Sequence, residues 1–251
     1  MVHRAAVALL DHGKGVMMKK PSQIFSIEER AEIKNAISIA ESKTYGEIVP
    51  VVVASSGRYD RAEDIVGIII GLITLSIYWS FFQLPAQTGW FITDTVNPAL
   101  WPVLLIIVIA FIAGTILATL LPVLRLLFIS KTVMKEEVER SALETFQRQR
   151  IRATRDGTGI LIYLSLYEQM VCVIGDDAIN SKVEPDDWQS ICDIITKGMK
   201  DNKPEPALVD AITQSGDLLT KHFPVGDDDQ NELNNELILI DDLSVYLMNR
   251  I

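Results

Sequence analysis

The carboxylates best placed to do chemistry in this chain follow an apolar run that is typical of a strand. Asp176 and Asp177 come directly after "QMVCVIG", and Asp156 lies in the upstream turn "RDGTG". Carboxylates held at the end of a rigid strand are oxygen ligands that Ca²⁺ and Mg²⁺ prefer. Because neighbouring side chains diverge, only one of residues 176 and 177 would face an ion directly.

A purely structural interpretation competes with a metal site. Asp186 and Asp187 lie in the first turn after Pro185, where a helix dipole favours negative charge. Acidic loop residues also cap helices through their side-chain oxygens. The spacing of these aspartates leaves both interpretations open, a divalent-cation site and a set of helix caps.

Other catalytic signatures are missing from the sequence. The chain has no GxSxG elbow and no P-loop, and the spacing of His3, His12 and His222 does not suit a zinc enzyme. Cys172 and Cys192 form no CxxC pair and stand in apolar surroundings, so we expect small buried core residues. An enzyme is therefore the less favoured class, and the net charge of −10 disfavours a nucleic-acid partner.

Two segments without any charged residue predict a transmembrane hairpin. No Asp, Glu, Lys or Arg occurs from Ile65 to Thr93 or from Thr95 to Leu124, and about 20 apolar residues suffice to cross a bilayer. We place the spans near residues 65–82 and 102–121. Basic residues flank the hairpin, whereas its loop has no Lys or Arg, which predicts an inner-membrane protein with both termini in the cytoplasm.

The spans carry small residues at helical spacing. Gly67 with Gly71 on the first, and Ala110, Gly114 and Ala118 on the second, are small-xxx-small faces. Such faces allow close helix contact, either within the hairpin or with the helix of a partner.

The soluble parts on the two sides of the hairpin predict one α/β domain. Ser26 and Glu29 form a capping box before an amphipathic helix, and "EIVPVVVAS" follows as a strand. Residues 131–224 predict a charged helix, an antiparallel hairpin of "ILIYLSL" and "QMVCVIG", and two further helices. We expect the first strand to pair with one of the later two, because residues 22–62 alone cannot bury a core.

This interpretation divides the chain into five segments: an N-terminal extension (1–21), the first half of the domain (22–62), the transmembrane hairpin (63–130), the second half of the domain (131–224) and an acidic C-terminal tail (225–251). Met17 or Met18 is an alternative start to Met1. The tail is not an EF-hand, since Glu232 and Ile238 stand where that loop needs Gly and Glu. We predict a short amphipathic helix carrying Leu233, Leu237, Ile240 and Leu243, which docks on its own domain or on a partner.

Three stretches give the chain a family resemblance. "IFSIEERAEIKNAISIAESKTYGEIVPVVVASSGRYDRAED", "GTGILIYLSLYEQMVCVIGDDAI" and "LLTKHFP" resemble TPM-domain proteins, in particular a branch with a membrane hairpin. The resemblance implies a mixed sheet flanked by helices, a role in membrane-protein maintenance and a LemA-type membrane partner. It also implies that acidic loop residues bind divalent metal and that some members are weak phosphatases. Asp176 matches the family's acidic position in "GD-x-x-I", which makes it the expected ligand. Asp177 would be a helper or a solvated neighbour, and Asp156, like Asp186 and Asp187, could come close to it in the fold.

Three functional hypotheses follow. The first is a membrane-anchored interaction or assembly module, whose partners are the bilayer and another membrane protein or a second copy of the chain. The second is a regulatory domain that binds Ca²⁺ or Mg²⁺ at Asp176. The third is a weak metal-dependent phosphatase, which needs clustered ligands and an activated water.

Overall fold

A computed structural model describes residues 4–9, 20–57, 59–82, 100–121, 129–154, 157–225 and 233–242. The chain divides into two compact units. One unit combines Met1–Gly57 with Met134–Ile251, and the other is the inserted segment Arg58–Val133. The first unit is therefore assembled from both ends of the sequence, as the predicted fold class requires.

The first unit is built on a five-stranded mixed sheet, whose strands are β1 (Arg4–Leu9), β2 (Glu47–Val53), β3 (Gly159–Ser165), β4 (Met170–Gly175) and β5 (Ile238–Ile240). The order of the strands in the sheet is β1-β4-β3-β2-β5. The strands β3 and β4 form the predicted antiparallel hairpin. The strand β2 runs parallel to β3, with Ile48 opposite Ile160. A parallel pair needs a long crossover, and here the crossover contains the inserted segment.

Helices cover both faces of this sheet. The described helices of the chain are α1 (Pro21–Ile24), α2 (Ile27–Glu41), α3 (Asp60–Phe82), α4 (Leu100–Leu120), α5 (Lys131–Arg148), α6 (Asp177–Asn180), α7 (Pro185–Lys200) and α8 (Pro204–His222), with a 3₁₀ turn at Ile151–Ala153. Apolar stripes of α2, α7 and α8 bury Ile37, Trp188 and Leu208 against one face. On the other face, Ser141 of α5 contacts the Tyr163 hydroxyl of β3 at 2.7 Å.

Pro50 stands in the middle of β2, where a missing N–H must not interrupt the ladder. The N–H of Ala54 donates to the Ile240 carbonyl oxygen of β5 at 2.9 Å. Backbone N–H groups alternate between the two sides of a strand, so the nitrogen of Pro50, four residues earlier, also faces the β5 side. Pairing with β5 begins only at Val51. Further back on this side, the N–H of Ile48 donates to the Glu41 carboxylate at 2.8 Å. The proline therefore removes a donor at a position where no strand would accept it.

Both ends of the chain depart from the sequence-based predictions. Residues 4–9, predicted as part of an extension, form β1 and pair with β4 in antiparallel fashion. The predicted tail helix is wrong at residues 238–240, which form β5 beside β2. The apolar residues of this segment, Leu237, Leu239 and Ile240, are buried or partly buried there. The open edge of the sheet at β2 pairs with the backbone of this segment, and no local sequence pattern reveals such an edge. Leu243, the last residue of the predicted helix face, lies outside the described residues.

The second unit contains α3 and α4, which pack against each other. Stretches Glu63–Phe81 and Leu100–Leu120 are long and apolar enough to cross a membrane, with mean hydropathies of 1.8 and 2.9. A Cβ on Gly114 would lie 2.9 Å from the Cα of Gly67. The small-residue faces therefore meet within the hairpin, which was one of the two predicted uses.

Candidate functional site

Asp176 is fixed by backbone bonds at the point where β4 ends. Its N–H donates to the Gly159 carbonyl oxygen at 3.0 Å, which ties it to the start of β3. It is the N-cap of α6, and its Oδ1 accepts a hydrogen bond from the N–H of Asp177 at 2.7 Å. The residue is 3% exposed. The sheet and the cap together hold this carboxylate in one place.

The second carboxylate oxygen of Asp176 has no hydrogen-bond partner in the described part of the chain. A buried acceptor without a partner costs about 1–3 kcal/mol of stability, and a charged group costs more. Burial raises the pKa of Asp176 above its ordinary value, and the negative charge of Asp177 adds to this, while Arg152 acts in the opposite direction. The Oδ2 atom can therefore accept a hydrogen bond or a cation.

A tight loop borders this oxygen. Gly157 has a φ of +64°, a left-handed conformation that favours glycine, and a Cβ there would lie 3.5 Å from Asp176 Oδ2. The loop is held by Thr154, whose carbonyl accepts from Gly157 and whose Oγ1 accepts from Thr158, both at 3.1 Å. Asp156, the third predicted ligand, lies outside the described residues.

The neighbouring aspartates take other positions. Asp177 has a side chain 47% exposed and lies 3.4 Å from Nη2 of Arg152, so it diverges from Asp176. Asp186 and Asp187 lie in the first turn of α7. Within the described ranges, no three His, Cys, Asp or Glu side chains converge closely enough to hold a metal ion. A metal at Asp176 therefore stays a prediction.

A second buried carboxylate, Glu168, was missed by the sequence analysis. It lies in the turn between β3 and β4, is 3% exposed, and accepts a hydrogen bond from the Ser165 hydroxyl. Its oxygens accept from the N–H groups of Ser56 at 2.9 and 3.1 Å and of Gly57 at 3.1 Å. The only local signal is the "SLYEQ" turn, which looks like an ordinary spacer because the Ser56 and Gly57 amides that bind Glu168 lie more than 100 residues away.

Hydroxyl groups extend this network under α5. The Ser56 hydroxyl donates to Ser165 at 2.8 Å and lies 3.1 Å from the Tyr163 hydroxyl, which in turn contacts Ser141. Burial raises the pKa of Tyr163. Ser56 and Ser165 are 3% and 0% exposed, so a substrate cannot reach them. The cluster holds the segment that follows β2, and it is a structural anchor instead of a nucleophilic site.

The two cysteines behave as the sequence predicts. Cys172 and Cys192 are both buried and are not joined in a disulfide. Burial raises the pKa of Cys192 to about 12. A thiol with so high a pKa does not supply the thiolate that nucleophilic chemistry needs.

Comparison with known proteins identifies the domain that contains Asp176. Residues 124–218 match the family model of the TPM domain. Residues 124–218 are therefore similar to a TPM domain. The matched segment includes β3, β4 and α7, whereas α2 and β2 precede it in the sequence.

A solved structure supports the fold. It is the NMR structure of the BA42 protein from the psychrophilic bacterium Bizionia argentinensis sp. nov., with a TM-score of 0.51 and 21% sequence identity. The match covers 88% of this chain and 99% of that chain. At this identity the likeness shows that the two proteins share a fold. No curated protein matches the chain.

Proposed function

We propose that this protein is a membrane-anchored TPM domain that acts as an interaction and assembly module in membrane-protein maintenance. The observation that carries the proposal is the position of the insertion. The strands β2 and β3 are neighbours in one sheet, yet two apolar helices of membrane-spanning length lie between them in the sequence. Such an insertion would hold the domain at the membrane through two covalent connections instead of one flexible tether.

The proposal also states on which side of the membrane the domain lies. Basic residues flank the two helices and are missing from the loop between them, which favours a domain on the cytoplasmic face of the bacterial inner membrane. Two variants that each add one cysteine test this, Gln87→Cys in the loop and Gln189→Cys on α7. A membrane-impermeant maleimide should label Gln87→Cys in spheroplasts and Gln189→Cys only after lysis. The native cysteines are buried and give a low background. The reverse labelling pattern would refute the orientation.

The proposed partner is another membrane protein, such as a LemA-type protein, or a second copy of the chain. The small faces of α3 and α4 are used within the hairpin, whereas large apolar side chains such as Ile68, Leu72 and Ile77 are exposed. Purification in mild detergent after cross-linking in the membrane should give a stoichiometric complex. A protein recovered only as an uncomplexed monomer would count against an assembly role.

A second candidate function is divalent-cation binding at Asp176. The buried Oδ2 without a described partner favours it, and Ca²⁺ or Mg²⁺ would find there an oxygen ligand on a rigid support. Thermal unfolding in EDTA and then in Ca²⁺, Mg²⁺ or Mn²⁺ tests this function. A weak metal-dependent phosphatase would use the same carboxylate. It requires phosphate release that Asp176→Asn abolishes without unfolding the domain.

A further inference from the structure

The helices α2 and α8 leave a groove on the surface of the TPM-domain unit. The two helices approach closely where Gly216 faces Ala40, because a Cβ on that glycine would lie 2.6 Å from the Ala40 Cβ. Small side chains at Ala36 and Ala40 leave an open volume of about 310 Å³ beside this contact, and Val209 adds to its apolar lining. The groove is therefore a consequence of small residues on facing helices.

Carboxylates dominate the polar lining of this groove. Glu32 and Asn35 line it from α2, Glu205 and Asp217 line it from α8, and Lys43 follows α2 at one end. Burial raises the pKa of Glu205, and a hydrogen bond and repulsion from Glu32 raise it further; Glu29 and Asp210 add to the repulsion. Like charges crowded in this way oppose each other in the free protein, and a cationic ligand would relieve that repulsion.

An exposed apolar side chain stands beside these carboxylates. Ile39 lines the groove and is 51% exposed although it lies on a helix that packs against the core. An apolar floor with an acidic rim is complementary to an amphipathic helix that carries Leu or Ile knobs between Lys and Arg. A second copy of the same groove would bring like charges together, and an anionic lipid surface would repel it.

We propose that the α2–α8 groove docks a basic amphipathic segment of a partner protein. This inference rests on the proposed interaction module and names its binding face. The occupant is defined by its chemistry: apolar residues at helical spacing reach Ala36, Ile39 and Val209, and its cations pair with Glu32 and Glu205.

A synthetic Leu–Lys peptide with helical spacing is the probe, and the full chain in phosphatidylcholine nanodiscs is the receptor. Binding is measured by fluorescence anisotropy against empty nanodiscs, with a Leu–Glu peptide of the same pattern for comparison. We expect saturable binding of the Leu–Lys peptide alone. Reversing two charges, Glu32→Lys with Glu205→Lys, should weaken it about tenfold, since each exposed pair contributes up to about 1 kcal/mol.

Matched controls separate the groove from the general acidity of the chain. Asp186→Lys with Asp193→Lys changes the charge equally at another acidic hollow on α7 and should leave binding within about twofold. A photo-crosslinking residue at Ile39 should capture the peptide. The same residue at Ile27, which is 78% exposed and does not line the groove, should not.

Three results would overturn the inference: equal binding of the Leu–Glu peptide, equal loss in the α7 control, or cross-links at Ile39 between two copies of the chain. The same experiments test the proposed function separately from the groove. A membrane partner that stays bound to the Glu32→Lys, Glu205→Lys variant would preserve the interaction module and refute the groove. Selective peptide binding without any partner in the membrane would preserve the groove and refute the assembly role.

Discussion

Replacing Glu168 by alanine should destabilise the unit that contains the sheet far more than its position in a hairpin turn suggests. The carboxylate is 3% exposed and accepts the backbone N–H groups of Ser56 and Gly57 together with the Ser165 hydroxyl. The two amides lie in the backbone of the segment that follows β2, so they cannot rotate to another acceptor as a side chain can. Removing the glutamate takes the acceptor from both amides and from the Ser165 hydroxyl, which still accepts from Ser56.

The magnitude follows from the number of donors. A buried donor that loses its partner costs about 1–3 kcal/mol, so two amides and one hydroxyl give a loss of about 4 kcal/mol in the free energy of unfolding. For a chain of this size that corresponds to a decrease of about 10 °C in Tm. Glu168→Gln keeps the shape and one acceptor oxygen, so its loss should be about half as large. Thermal unfolding of the full chain in nanodiscs, followed by circular dichroism, measures both.

Glu184→Ala is the control, because Glu184 is an exposed acid whose side chain makes no capping hydrogen bond at α7. It should change stability by less than about 0.5 kcal/mol. Hydrogen exchange at the amides of Ser56 and Gly57 locates the effect, and exchange should accelerate there first in Glu168→Gln. If Glu168→Ala lowers stability no more than Glu184→Ala does, the carboxylate is not an anchor.

Further predictions concern the ion site, pH, the hairpin and the core. Saturating Ca²⁺ or Mg²⁺ at about a hundredfold over its Kd should raise the stability of the wild type by about 2.7 kcal/mol; a rise of equal size in Asp176→Asn would refute a site at that residue. In EDTA the raised pKa of Asp176 means that the folded state binds its proton more tightly. The stability of the wild type should therefore fall as pH rises from the ordinary pKa of an aspartate through the raised value. The corresponding profile of Asp176→Asn should be flatter in a pH titration of unfolding, and parallel profiles would contradict the buried charge. Gly114→Ala should separate α3 from α4, because its Cβ would lie 2.9 Å from backbone, whereas the matched Gly71→Ala meets nothing closer than 3.8 Å. Cross-linking between the two helices in the bilayer should fall only in the first variant, and equal efficiency in both would refute the close contact. Trp188→Ala should cost about 3–5 kcal/mol, because Trp188 is 2% exposed in the core; denaturant unfolding checks this, and a loss below about 1 kcal/mol would show that the site collapses around the cavity.

Local patterns were sufficient for helix α2 and for the hairpin of β3 and β4. The capping box at Ser26 is present in both directions, with Glu29 N–H donating to Ser26 Oγ and Ser26 N–H donating to the Glu29 carboxylate. The two apolar runs that form β3 and β4 pair as the predicted hairpin. Each of these features depends on residues only a few positions apart, so their periodicity and spacing are visible in the sequence.

The candidate sites were predictable only in part. Asp176 could be selected from its place after an apolar run and from the family resemblance, but its burial and its N-cap role depend on how β3 and β4 meet α6. Glu168 carried no usable signal, because its backbone N–H donors come from the segment after β2. The Glu32 and Glu205 side chains likewise look like solvated helix acids until α2 and α8 are placed side by side.

The sequence by itself determined the fold class, the two apolar helices and the pairing of two distant halves into one α/β domain. The fold class and the helices depend on composition and on short-range periodicity, and the pairing of the halves follows because residues 22–62 alone cannot bury a core. Only the tertiary structure decided that residues 4–9 and 238–240 complete the sheet, that Glu168 anchors the segment after β2, and that an acidic groove opens between α2 and α8. The physical reason is that sheet edges, buried hydrogen bonds and grooves are formed by residues far apart in the chain, whose proximity has no local signature.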